Sequence, residues 1–223
     1  MARKKSVNKT MKEEEKKGSK IKKNRKNQSY WYVGFAVLLV ILFFLSNSFF
    51  SNLRGFDYEG LSFTKEMFGD IPVFHHYYYI DAETKYNFYL RIDPRKNNVP
   101  IEGEIEFDTS GKFNYISVNA NGLGQCEYTS AAVGSLSAFL TNNNIKVRGA
   151  MPDLIQAERN DVDFADCYSP KDRYVILIEE GEETRIHRED MCYIIEVANC
   201  EILNAIEKFE TKALLDAKAR ANP

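Results

Sequence analysis

The stretch FNYISVNANGLGQCEYTSAAVGSLSAFLTNNNIKVRG, residues 113–149, decides the fold. Phe113–Val118 is rich in aromatic and β-branched residues and reads as a strand. Tyr128–Leu140 reads as a helix ended by the polar Asn142-Asn143-Asn144. Ile145–Gly149 reads as a second strand. Strand, helix, strand implies a right-handed crossover that lays two strands parallel. Between the first strand and the helix, Asn121-Gly122-Leu123-Gly124-Gln125 occupies a place where backbone amides often meet an anion. It lacks the Lys-Ser/Thr of a phosphate loop and the third glycine of a dinucleotide fingerprint, so it reads as a tight turn carrying Cys126.

Downstream, Tyr174–Glu179 and Thr184–Arg188 flank Glu180-Gly181-Glu182 as a hairpin would, and Cys192–Val197 reads as a further strand. Asn199 suits an N-cap and Glu201 the first turn of a helix. Ile202, Ile206, Phe209 and Ala213 fall on one face of that helix beside Leu203 and Leu214. Upstream, LSFTKEMF, IPVFHHYYYI, KYNFYLRI and IEGEIEF read as strands of an antiparallel sheet. In the third, Tyr86, Phe88, Leu90 and Ile92 alternate with polar or exposed-type residues. The fold class is therefore α+β: a β-rich part over 52–107 and an α/β part over 108–223 that ends in an amphipathic helix. These form one domain or two closely packed subdomains.

All four cysteines, Cys126, Cys167, Cys192 and Cys200, lie in this region, and their even number suggests two disulfides. Cys192 and Cys200 flank an extended strand, so eight steps of about 3.3 Å hold them far beyond the disulfide limit of about 7 Å. Cys167 and Cys192 both precede strands, whereas Cys126 and Cys200 both sit between a strand and a helix. The expected pairs are Cys167 with Cys192 and Cys126 with Cys200.

Residues 27–53 carry no charge, and WYVGFAVLLVILFFL at 31–45 is almost wholly apolar. The segment is expected to form a transmembrane helix over 30–50, with the lipid bilayer as partner. Residues 1–29 hold 12 Lys and Arg against 3 Glu, and the remainder 18 basic against 29 acidic residues. The basic arm is expected to be disordered and cytoplasmic, placing residues after the span outside the membrane. A cleavable signal peptide ending at Ser46-Asn47-Ser48 is the weaker reading, because the uncharged segment exceeds the usual apolar core of roughly 7–15 residues. No nucleic-acid partner is expected, since no aromatic residues interleave the arm's charges.

No catalytic residues, cofactor or metal site are assigned. His75 and His76 are neighbours on a strand and face opposite ways, and His187 stands alone among charged residues. Asp161, Asp163 and Asp166 lack the glycine and terminal glutamate of a calcium loop. Cys126 near a helix start is the best candidate for thiol chemistry, though it has no C-x-x-C partner. Asp93-Pro94-Arg95-Lys96-Asn97-Asn98 is a dense polar turn on an acidic domain. Arg91, Asp93, Arg95 and Lys96 form a candidate contact for an acidic partner or glycan.

NFYLRIDPRKNNVPIEGEI at Asn87–Ile105 and CYIIEVANCEILNAIEKF at Cys192–Phe209 resemble uncharacterised single-pass membrane proteins of archaea. The resemblance implies an anchored external domain and carries no activity with it. The expected function is a non-enzymatic, extracytoplasmic domain that binds a protein or an envelope component. The alternatives are a tethered thiol/disulfide enzyme and a structural subunit of a membrane complex. The sequence leaves the oligomeric state open.

Overall fold

The computed structural model describes residues 34–44, 55–107 and 111–221. Residues 34–44 form a helix, α1, apolar and exposed along its length. The expected span over 30–50 is corrected: no helix among the described residues is long and apolar enough to cross a membrane. Eleven helical residues rise only about 16 Å, against roughly 30 Å of hydrocarbon. The basic arm 1–29, and residues 30–33 and 45–50 of the expected span, lie outside the described residues.

In the second unit, Gly55–Pro223, four strands form an antiparallel meander: β1 (Gly55–Tyr58), β2 (Leu61–Phe68), β3 (Ile71–Tyr79) and β4 (Lys85–Leu90). Alternation sorts its faces: Leu61, Phe63, Phe74, Phe88 and Leu90 are buried, whereas Thr64, Tyr77, Tyr79 and Tyr89 look outward. The fourth expected strand, IEGEIEF, does not form. Pro100 has no N–H to give a ladder and Gly103 sits at φ 87°, so a single bridge joins Ile101 to Ile186.

Six strands make the second sheet: β5 (Asn114–Val118), β6 (Val147–Met151), β7 (Asp163–Phe164), β8 (Val175–Glu180), β9 (Arg185–Glu189) and β10 (Cys192–Val197). Their order is β7-β6-β5-β8-β10-β9. The helices are α2 (Ala120–Leu123), α3 (Thr129–Asn142), α4 (Leu154–Asn160) and α5 (Ile202–Ala221). As the opening stretch implies, α3 connects β5 to a parallel β6, with Asn114 opposite Val147.

The hairpin expected between β8 and β9 is corrected. β10 inserts between them, parallel to β8 and antiparallel to β9. Val175–Ile178 are buried on both faces, so β8 needs a strand on each side, and β5 and β10 supply them. The hairpin is instead β9–β10, turned at Asp190 (φ 51°). The N-cap expected at Asn199 is also displaced: Asn199 and Cys200 both adopt left-handed backbone, and α5 starts at Ile202.

Helices α3 and α5 lie between the sheets. Phe139 of α3 meets Tyr86 and Phe88 of the meander, and Phe209 of α5 meets Tyr193 of β10. One core cluster therefore takes residues from both halves of the unit. The far face of the second sheet is covered near Val175 and Cys192 by the segment holding Ala165 and Cys167. Two disulfides brace the unit, Cys126–Cys200 and Cys167–Cys192, and no cysteine is free.

Candidate functional site

β2 and β3 have eight and nine residues, and β4 has six. Pairing of β3 with β4 ends at Phe74 and Leu90, while β2 and β3 stay paired out to Phe68 and Ile71. The β2–β3 hairpin thus runs past the end of β4. Its apolar side chains there stay uncovered: Met67 is 61 % and Phe68 78 % exposed. A groove of about 530 Å³ is lined by Met67, Phe68 and Val73 of this hairpin, Tyr89 and Arg91 from the end of β4, Ala131 and Ser135 of α3, and Leu203 of α5. Glu66 and Glu207 complete it.

The polar groups of the groove have distinct assignments. Where β4 ends, the next two backbone donors need acceptors, and Glu207 supplies both. Its Oε1 accepts from Arg91 N at 2.7 Å and its Oε2 from Ile92 N at 2.9 Å. Glu207 is buried, and burial pushes its carboxyl up to about 7 against the pull of those N–H groups and of the Arg91 charge. One turn further along α5, burial pushes Glu210 up to about 8. The Ser135 hydroxyl, donating at 3.1 Å, opposes this shift and the charge of Glu207 adds to it. Glu66 is tied to the outward-facing His75, Oε1 to Nδ1 at 2.8 Å. The Arg91 guanidinium is exposed and lies 5.4 Å from the Tyr128 ring centroid; among the described residues no hydrogen bond or ion pair engages it.

Of the contact residues read from sequence, only Arg91 lines the groove. Asp93 and Arg95 hold each other: the guanidinium donates through Nε at 2.9 Å and Nη2 at 2.7 Å, and it stacks 3.7 Å from the Phe56 ring centroid. These bonds hold the Asp93 carboxyl below the usual carboxylate range. Lys96 is exposed, its N–H closing the turn onto Asp93 O. Arg95 therefore shapes the turn.

The remaining candidates are dispersed. His75 and His76 face opposite ways, His76 Nδ1 lying 2.9 Å from Ser62 O. His187 is half-buried on β9, and its Nδ1 has no hydrogen-bond partner among the described residues. Asp161 ends α4, Asp163 pairs with Arg148, and Asp166 caps a turn. A second depression, about 660 Å³ along Tyr77–Ile80 and Asn143-Asn144, includes Lys218, whose Nζ is committed to Gly60 O at 2.5 Å.

Sequence reasoning missed Glu207, Glu210, Ser135 and the Met67-Phe68 tip. A signal existed in α5, where Glu207 and Glu210 flank Ile206 and Phe209 on the buried face. Comparison with protein-family models, with curated proteins and with solved structures finds no match for this chain.

Proposed function

We propose that the unit over 55–223 is an extracytoplasmic binding domain whose contact site is the groove beside Arg91. The observation that carries this reading is the groove itself: an uncovered apolar hairpin end beside the exposed side chain of Arg91, which makes no hydrogen bond or ion pair among the described residues. The external placement is supported by the pairing of all four cysteines, the state that an oxidising compartment favours. With Cys126 bonded to Cys200, no thiolate stands ready for the alternative of a thiol enzyme.

A photoreactive amino acid placed at position 68 or 168 of the full-length protein in its native cells tests the reading. Phe68 lies at the groove and the exposed Tyr168 lies outside it. Adducts from position 68 that disappear with Arg91→Glu, and none from position 168, are expected. Equal labelling from both positions, or none from position 68, would overturn it.

A further inference from the structure

We infer that the contact of α3 with α5 at Ser135 is a pH-sensitive latch, closed while the buried Glu210 carboxyl is neutral and loosened when that carboxyl ionises. This goes beyond the binding-domain reading and does not depend on what occupies the groove.

Glu207 and Glu210 stand one turn apart on the buried face of α5, 4 % and 1 % exposed. Glu207 accepts from two backbone N–H groups, whereas among the described residues the Glu210 carboxyl is bonded to the Ser135 hydroxyl at 3.1 Å. No charged side chain faces it from α3, because Thr129–Asn142 contains none. From β3 and β4 it meets Tyr78 and Tyr86, which burial keeps neutral, and from its own helix the like-charged Glu207. Arg91 acts on Glu207, and Glu66 of the same groove is paired with His75. On α5 itself, Lys208 donates to Asn97 O and Lys212 to Asp216. A carboxylate buried without a cation is costly, so charge at Glu210 and closure of the α3 contact oppose each other. Burial pushes the Glu210 carboxyl up to about 8, within reach of mildly alkaline solution.

The side that yields is the first half of α3. Ser135 is itself exposed and lines the groove with Ala131, so the hydroxyl bonded to Glu210 already stands at solvent. Tyr128, at the N-cap, makes no side-chain bond to the start of the helix, and Val133 and Gly134 lower its helix propensity. A Cβ at Gly134 would meet nothing within 4 Å, so this turn is not packed on that side. Farther along, Phe139 is fixed against Tyr86 and Phe88, and Cys126–Cys200 ties the start of α3 to the start of α5. Loosening is therefore confined to residues 131–135 and their neighbours, and it reverses when the proton returns.

The test uses full-length protein, kept soluble by an amphipathic polymer and carrying ¹³C-methyl alanine, with a neutral gadolinium chelate in the solvent. The methyl of Ala132, buried on α3, is expected to be shielded at about pH 6, and its paramagnetic relaxation to rise at least about threefold by about pH 9.5. Ala157 and Ala165, buried elsewhere, should stay shielded throughout. Glu210→Gln, which keeps an acceptor for Ser135, should hold Ala132 shielded at both pH values. Glu207→Gln removes the like charge and should move the rise to lower pH.

An Ala132 methyl that stays shielded up to about pH 9.5, a rise that persists in Glu210→Gln, or one that Glu207→Gln leaves at the same pH would each overturn the inference. Simultaneous exposure of Ala132, Ala157 and Ala165 would overturn it too, because the proton would then be coupled to unfolding of the whole unit. The adducts from position 68 bear on the binding-domain reading alone.

Discussion

Glu207 joins the fold to the groove, because one carboxylate both ends the β4 ladder and lines the cavity. Glu207→Ala leaves the N–H groups of Arg91 and Ile92 without acceptors and should cost about 2–5 kcal/mol in denaturant unfolding; Glu207→Gln, which keeps one acceptor, should cost less. Gly122 offers a second test. Its backbone at φ 81°, ψ −46° lies where side chains are strained, and a Cβ would collide with the Glu180 carboxylate. Gly122→Ala should therefore lower the thermal midpoint, at a cost of about 1–3 kcal/mol. At this scale the sequence was partly legible. Arg91 was visible as a donor, but Asp93 lies two residues from both Arg91 and Arg95, so spacing could not say which of them it binds. Glu207 was hidden because a helical glutamate ordinarily reads as solvated surface.

The strand-helix-strand element was readable because β5, α3 and β6 each carry a strong local pattern. The order of β8, β9 and β10 was not. A short Gly-containing linker such as Glu180-Gly181-Glu182 looks like a hairpin from local chemistry, and only the demand of β8 for two neighbours places β10 between them. The expected membrane span rested on an apolar window, which measures composition, and no helix among the described residues is long and apolar enough to cross a membrane. The disulfides allow a prediction about how elements are tied. Cys126–Cys200 closes 74 residues and Cys167–Cys192 closes 25. Chain entropy then assigns about 4–5 kcal/mol to the first and about 3–4 kcal/mol to the second. Paired Cys→Ser variants should show that order in denaturant midpoints, and the reverse order would mean that native contacts of the two loops dominate.

At the level of the whole molecule, the buried carboxyls make stability depend on pH. Glu207 and Glu210 have folded values of about 7 and about 8 against 4.5 in the unfolded chain. Between those limits the folded state holds more protons, so their contribution is fully present below pH 4.5 and is lost as pH rises through 7 and 8. The 55–223 unit should lose a few kcal/mol between about pH 5 and pH 9. Glu210→Gln, which keeps an acceptor for Ser135, should flatten that slope in thermal melts. A rise in stability over the same range would contradict the burial of these groups. The central feature of the molecule is a domain clamped by two bridges, Cys126–Cys200 and Cys167–Cys192. Its most direct test is peptide mass mapping of the native full-length protein under non-reducing conditions, with free thiols alkylated at lysis. The account predicts peptides joined through Cys126–Cys200 and Cys167–Cys192 and no alkylated cysteine. Alkylation at Cys126 or at any of the other three would contradict it.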